Sequence, residues 1–198
     1  MIVAGQTVEN PQTGERLVFH KTARDTGGEC TEFTAHIAPG GHLPTAHVHP
    51  GQSERFAITK GTLTLKIEGR TFEAKPGDVV TIEAGQAHNF WNRTDDEVVF
   101  DVQVTPPLKI ESILETMYGL AADGKTNRLG MPNPLRLAVI AEHHLDTVAL
   151  PILPVSVQRA MLAVGAPIGR MLGYRPTYTR KPATATAPAP ARTALATA

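Results

Sequence analysis

Cysteine is almost missing from this chain: Cys30 is the single thiol among 198 residues. That excludes an internal disulfide framework and any zinc module built on paired cysteines. Acidic residues are missing from the last quarter, Asp146 being the final one. Also missing is a long uninterrupted apolar run. The most apolar stretch, Val148 to Gly173, is broken by Pro151, Pro154 and Pro167 and carries Arg159 and Arg170. A membrane span needs about 20 continuous, nearly uncharged residues, so none is expected. Met1 to Pro11 has no basic start and no apolar core of the kind a secretory leader carries, and a cytoplasmic protein is the expectation. The basic residues are scattered rather than gathered on one element, which argues against a nucleic-acid partner.

What is present divides into three zones. From Glu15 to Thr105, short runs alternate apolar and polar side chains, as in Leu63-Thr64-Leu65-Lys66-Ile67 and in Val98, Phe100, Val102 and Val104. Gly27-Gly28, Pro39-Gly40-Gly41, Pro50-Gly51, Gly61, Gly69 and Pro76-Gly77 punctuate them. The pattern predicts many short antiparallel strands in a sandwich or barrel, over 1–106. From 107 to 176 the spacing is helical. Ile110, Ile113, Leu114, Met117 and Tyr118 share one stripe, Pro134 opens a second helix to about Val148, and a third runs from about Ser156 to Leu172, expected to kink or split at Gly165 and Pro167. Residues 177–198, mostly Ala, Thr and Pro from Lys181 on, read as a disordered tail. The helical stripes must bury somewhere, and packing on the barrel or across a homodimer is expected.

The formal net charge is zero, with 19 basic and 19 acidic residues. It hides an imbalance: 13 of the basic residues and all 19 acids lie up to Asp146, leaving six bases after it. The expected use is docking of the basic C-terminal part on an acidic barrel surface.

Chemistry concentrates in histidine. His47 and His49, two apart, put both imidazoles on one face of an extended chain. Glu54 follows a Pro50-Gly51 turn, and His88 lies on a later strand. Three imidazoles and a carboxylate suit a divalent transition ion. Gly41, His47, His49, Glu54 and Gly61, followed by Gly77, Gly85, His88 and Asn92, resemble the two motifs of the cupin superfamily, over the stretch from just before Gly41 to about Thr105. The second motif expects a proline where Glu83 stands. The resemblance implies a mainly β fold, an antiparallel jelly-roll barrel here followed by a C-terminal helical extension. It also implies a divalent metal (Fe, Mn, Ni or Zn) held by His47, His49, Glu54 and His88.

The remaining histidines read otherwise: His20, His36 and His42 as surface or loop residues, and His143 and His144 as surface or interface residues. Strand parity turns Thr45, Phe56, Phe90 and Phe100 toward the substrate, with Ile58, Val98, Val102 and Val104 completing an apolar wall and Asn92 below Phe90. Few acids or bases outside the ligand set are evident, His42 and Glu83 being the candidates. That scarcity favours metal-centred chemistry over proton shuttling. The site therefore reads as a dioxygenase-like oxidoreductase resembling the quercetin-dioxygenase-like cupins. Its expected substrate is a small apolar molecule bearing an enolic, phenolic or carboxylate oxygen, with Glu54 as a transient proton acceptor. A ligand-binding sensor module and a metal-dependent isomerase are the alternatives.

Overall fold

The computed structural model describes residues 1–180. The tail from 181 to 198 lies outside the described residues.

Among the described residues, nine strands form two antiparallel sheets. The larger contains β1 (Thr7–Asn10), β2 (Glu15–Lys21), β3 (Thr31–Ile37), β4 (Ser53–Lys60), β7 (Val79–Ile82) and β9 (Val98–Thr105), in the order β1-β2-β3-β9-β4-β7. The smaller is β6-β5-β8, from β5 (Leu63–Ile67), β6 (Arg70–Ala74) and β8 (His88–Trp91). β9, last in sequence, enters between β3 and β4, so the sheet closes only once the whole segment is made. This is the jelly-roll barrel that the alternation predicts. In β3, Thr31, Phe33, Ala35 and Ile37 are buried while Glu32, Thr34 and His36 face outward and half-buried. Phe19, Phe100, Ile37, Leu63 and Val98 are among the fully buried side chains. Each contributes about 1.5–3 kcal/mol by leaving water. Gly61 has φ +76°, and a Cβ there would meet the Glu97 carbonyl oxygen at 2.9 Å, so the β4–β5 turn requires glycine.

Three helices follow: α1 (Ile110–Ala122), α2 (Pro134–His144) and α3 (Val155–Met171). The side chain of Asn133 caps α2 by accepting from Leu135 N, with Pro134 at the first helical position. α3 runs unbroken through Pro167, correcting the expected split. Proline removes a single N–H, and the bonds on either side keep the helix continuous. α2 and α3 cross so closely at Gly169 that a Cβ there would lie 2.4 Å from the Leu135 carbonyl oxygen.

His144 corrects a second expectation. It is fully buried, its Nδ1 donates to the Ile140 carbonyl at 2.8 Å, and its Nε2 lies 3.0 Å from the Ser112 hydroxyl. Burial pushes it down to about 4, so it is a neutral tie between α1 and α2. His143 beside it is exposed.

Three of the basic C-terminal residues, Arg159, Arg170 and Arg180, find their acids inside the extension rather than on the barrel. Arg159 pairs with Asp146 at 2.7 Å, Arg180 with Asp123 at 3.0 Å, and Arg170 with Glu142. Tyr178 adds a backbone bond to Thr116 Oγ1 at 3.0 Å and a hydroxyl bond to Asp123, fastening the end of the described chain to α1.

Candidate metal centre

Two segments meet at the barrel mouth. The 42–47 stretch runs antiparallel to β8, with bridges His42–Trp91 and His47–His88. The Gly85 N–H donates to the His49 carbonyl at 2.9 Å, joining the two motif regions. Glu83, where a proline was expected, donates its N–H to Gln86 Oε1 at 2.9 Å, so the turn closes with a bond that proline could not make. Asn92 ties the lower end of β8, its amide donating to the carbonyls of Ile37, Ala38 and Asp96.

The outcome is a cluster in which one ligating atom from each of His47, His49, Glu54 and His88 lies within 4.8 Å of the others. His49, Glu54 and His88 are buried and His47 is half-buried. His47 Nδ1 faces the Thr45 carbonyl at 3.4 Å, His49 Nδ1 the Thr147 carbonyl at 2.7 Å, and His88 Nδ1 the Gln86 carbonyl at 3.0 Å. A carbonyl only accepts, so each Nδ1 carries the hydrogen and each Nε2 presents a lone pair. Those lone pairs converge: His47 Nε2 is 3.1 Å from His49 Nε2, which is 3.5 Å from Glu54 Oε1, and His88 Nε2 is 3.0 Å from Glu54 Oε2. His88 Nε2 is buried with no partner in hydrogen-bonding geometry. Burial, then the neighbouring His88 and His49, hold His47 down at about 3. Burial alone would raise Glu54, but His49, His88 and His47 outweigh it and hold its carboxyl at about 2. Three imidazole nitrogens, each oriented by the carbonyl behind it, and a carboxylate are the donor set a divalent transition ion requires, and these residues could hold one. The set does not discriminate among such ions.

The cluster opens into a cavity of about 480 Å³, within the range of small-molecule sites. Thr45, Phe56, Phe90 and Phe100 all line it, with Thr45 exposed at the rim. Val102 lines it too, whereas Ile58, Val98 and Val104 are buried core away from it. The helical stripe has found its role here. Ile110, Ile113, Leu114 and Met117 of α1, with Leu137 and Ala138 of α2, wall the outer side. A two-residue bridge, Val48 with Ala149 at 2.9 and 3.0 Å, clips the extension to the segment that carries His47 and His49.

One expectation fails inside this cavity. His42 and Glu83 do not line it, but Glu15 and Tyr118 do. Glu15 is buried, accepts from Thr13 Oγ1 at 2.7 Å, and faces the Tyr118 hydroxyl. Burial lifts its carboxyl to about 7, against the opposing pull of Thr13 and Tyr118. The signal was in the sequence: Glu15 is in phase with Leu17 and Phe19, an acid on the apolar face of its strand.

Residues 33–104 match the family model described as Cupin domain, and the chain carries a cupin domain. An oxidoreductase of Arthrobotrys oligospora is 30% identical over 95 residues, 44% of this chain and 38% of that protein. Among solved structures, a cupin-superfamily sugar phosphate isomerase from Silicibacter pomeroyi is 27% identical, covering 48% of this chain and 62% of that one, with a TM-score of 0.43. A predicted oxalate decarboxylase from Thermotoga maritima is 18% identical, covering 54% and 99%, with a TM-score of 0.47. The chain thus spans less than two thirds of the length of the curated relative and of the isomerase.

Proposed function

We propose that this protein is a divalent-metal-dependent oxidoreductase, dioxygenase-like, acting on a small apolar molecule through an enolic, phenolic or carboxylate oxygen. The observation that carries the reading is the convergence of three Nε2 lone pairs and the Glu54 carboxylate at the mouth of an apolar cavity. The oxidoreductase of Arthrobotrys oligospora supports the reaction class. His47, His49, Glu54 and His88 would hold the ion. Bound there, an ion of Fe, Mn, Ni or Zn supplies Lewis acidity, and Fe or Mn also supplies redox chemistry.

The chain does the rest. Three imidazoles and one carboxylate leave a divalent site with a net positive charge, which draws an anionic oxygen into an apolar surrounding that strengthens the attraction. Phe56, Phe90 and Phe100 flank the apolar body of the substrate and exclude water, and Thr45 contacts it at the rim. Glu54, one of the residues that would hold the ion, would also serve as the transient proton acceptor for a substrate that arrives protonated at that oxygen. The protein acts in the cytoplasm as a homodimer. α3 leaves Met161, Val164, Ile168 and Met171 exposed along one stripe, and a second copy of the chain covers it. Sedimentation equilibrium checks the dimer; a monomer at all concentrations overturns it.

The test of function is oxygen uptake by protein loaded in turn with each of the four metals, against a panel of enolic and phenolic compounds. Uptake with at least one pairing is expected, and none with any pairing overturns the reading. Metal-dependent isomerisation, the alternative that the sequence leaves open, is the second reading. It predicts incorporation of solvent deuterium into the substrate carbon without oxygen uptake.

A further inference from the structure

The two polar clusters of the cavity lie at different ends of the barrel. Glu15 is paired with Ile37, which is paired with Val98, whereas Glu54 is paired with Val104. Val98 and Val104 are six residues apart on β9, a rise of about 20 Å. Leu17, Phe33, Ala35, Phe100 and Val102 line the cavity from the larger sheet, and α1 runs beside them from Ile110 to Tyr118. The cavity is therefore a long apolar passage with a metal-binding cluster at one end and a carboxyl–phenol pair at the other.

Resting on the metal-centred reading above, we propose that Glu15, Thr13 and Tyr118 form a second polar subsite. It takes a neutral oxygen, a hydroxyl or carbonyl, at the far end of an elongated apolar ligand whose anionic oxygen faces His47, His49, Glu54 and His88. The geometry specifies a neutral group. Among the described residues no cation pairs with Glu15, and the groups that face it are the Thr13 and Tyr118 hydroxyls, with Asn10 opposite it on β1. In the protonated form that burial favours, the Glu15 carboxyl donates one hydrogen bond, and the phenol donates or accepts another. A buried acid on the apolar face of a strand costs stability unless it is satisfied, so its placement at the end of a ligand cavity gains meaning when a ligand oxygen completes it. An apolar ligand lacking that oxygen leaves the pair unsatisfied, which is how such a pair discriminates.

The test is calorimetric binding of saturated straight-chain carboxylates, octanoate to tetradecanoate, and of their ω-hydroxy counterparts, to zinc-loaded and metal-free protein. At the chain length that spans the passage, the ω-hydroxy acid should bind about tenfold more tightly than the plain acid. Glu15→Leu and Tyr118→Phe should each erase that preference while leaving the plain acid's affinity in place. Thermal unfolding of both variants reports whether they fold, and Tyr118→Phe serves alone if Glu15→Leu does not. Equal binding of the paired acids at every length, a preference that survives in the folded variants, or no binding of any probe overturns the subsite. Loss of metal dependence for the plain acids, with the hydroxyl preference intact, counts against the metal-centred reading and leaves the subsite standing.

Discussion

The Nδ1 of His49 lies 2.7 Å from the carbonyl oxygen of Thr147, across 98 residues of sequence. A backbone atom of the helical extension thereby fixes the tautomer and orientation of a candidate metal ligand in the barrel. Outer-shell partners of this kind typically change metal affinity by 10–100-fold when lost. The Thr147 carbonyl is held in place by the Val48–Ala149 bridge. Ala149→Pro removes the N–H that donates to the Val48 carbonyl at 3.0 Å. The expected result is a drop in metal affinity of at least about tenfold, read by competition with a chelating dye, in a barrel whose far-ultraviolet circular dichroism is unchanged. Unaltered affinity would separate the extension from the metal centre.

Removing a ligand is a harsher change. His88→Ala and Glu54→Ala each take one donor from the four-residue cluster. Both should fold, because the barrel core of Phe19, Ile37, Leu63 and Phe100 is untouched. Metal content by elemental analysis should fall at least about tenfold relative to the unaltered protein. Full occupancy in both variants would sink the ligand assignment.

Glu15 makes stability depend on pH in a direction opposite to most carboxylates. Its folded value of about 7 lies above its ordinary value of 4.5, so the folded form binds a proton that the unfolded chain releases first. Its contribution to stability is intact below the ordinary carboxyl range and lost as pH rises through about 7. The shift corresponds to about 3 kcal/mol. Glu15→Gln keeps the shape and removes the titration. Denaturant titrations should show the variant gaining on the unaltered protein between pH 5 and 8 by an amount of that order. A constant difference across that range would mean that Glu15 is ionised throughout.

Gly169 tests the packing of the extension. With a Cβ placed 2.4 Å from the Leu135 carbonyl oxygen, Gly169→Leu forces α3 away from α2. A loss of about 1–3 kcal/mol is expected from overpacking, seen as a lower Tm. An unchanged Tm would show that the crossing yields freely.

The barrel and the cluster of His47, His49, Glu54 and His88 were legible because both depend on short spacings. His47 and His49, two apart, share one face of an extended chain, Glu54 follows the Pro50-Gly51 turn, and the stripe from Ile110 to Tyr118 falls on one side of a helix. Glu15 escaped because its significance is non-local: an isolated acid in a strand becomes informative only when Tyr118 arrives from a helix a hundred residues on. His144 escaped for a similar reason. It follows Ile140 by one helical turn and so shares its buried face, but the neighbouring His143 and acids Glu142 and Asp146 made the segment read as surface. The destination of the basic C-terminal residues was hidden as well, since Asp123, Glu142 and Asp146 become partners only once the helices fold back on one another.

The outer wall of the cavity comes from α1 and α2, while the four donors come from the barrel. The part of the cavity wall that α1 and α2 supply is thus separate in sequence from the proposed donor set. Exchanging Leu137 or Ala138 reshapes what the protein admits without touching an atom of the donor set, so a lineage could change its diet while keeping its chemistry.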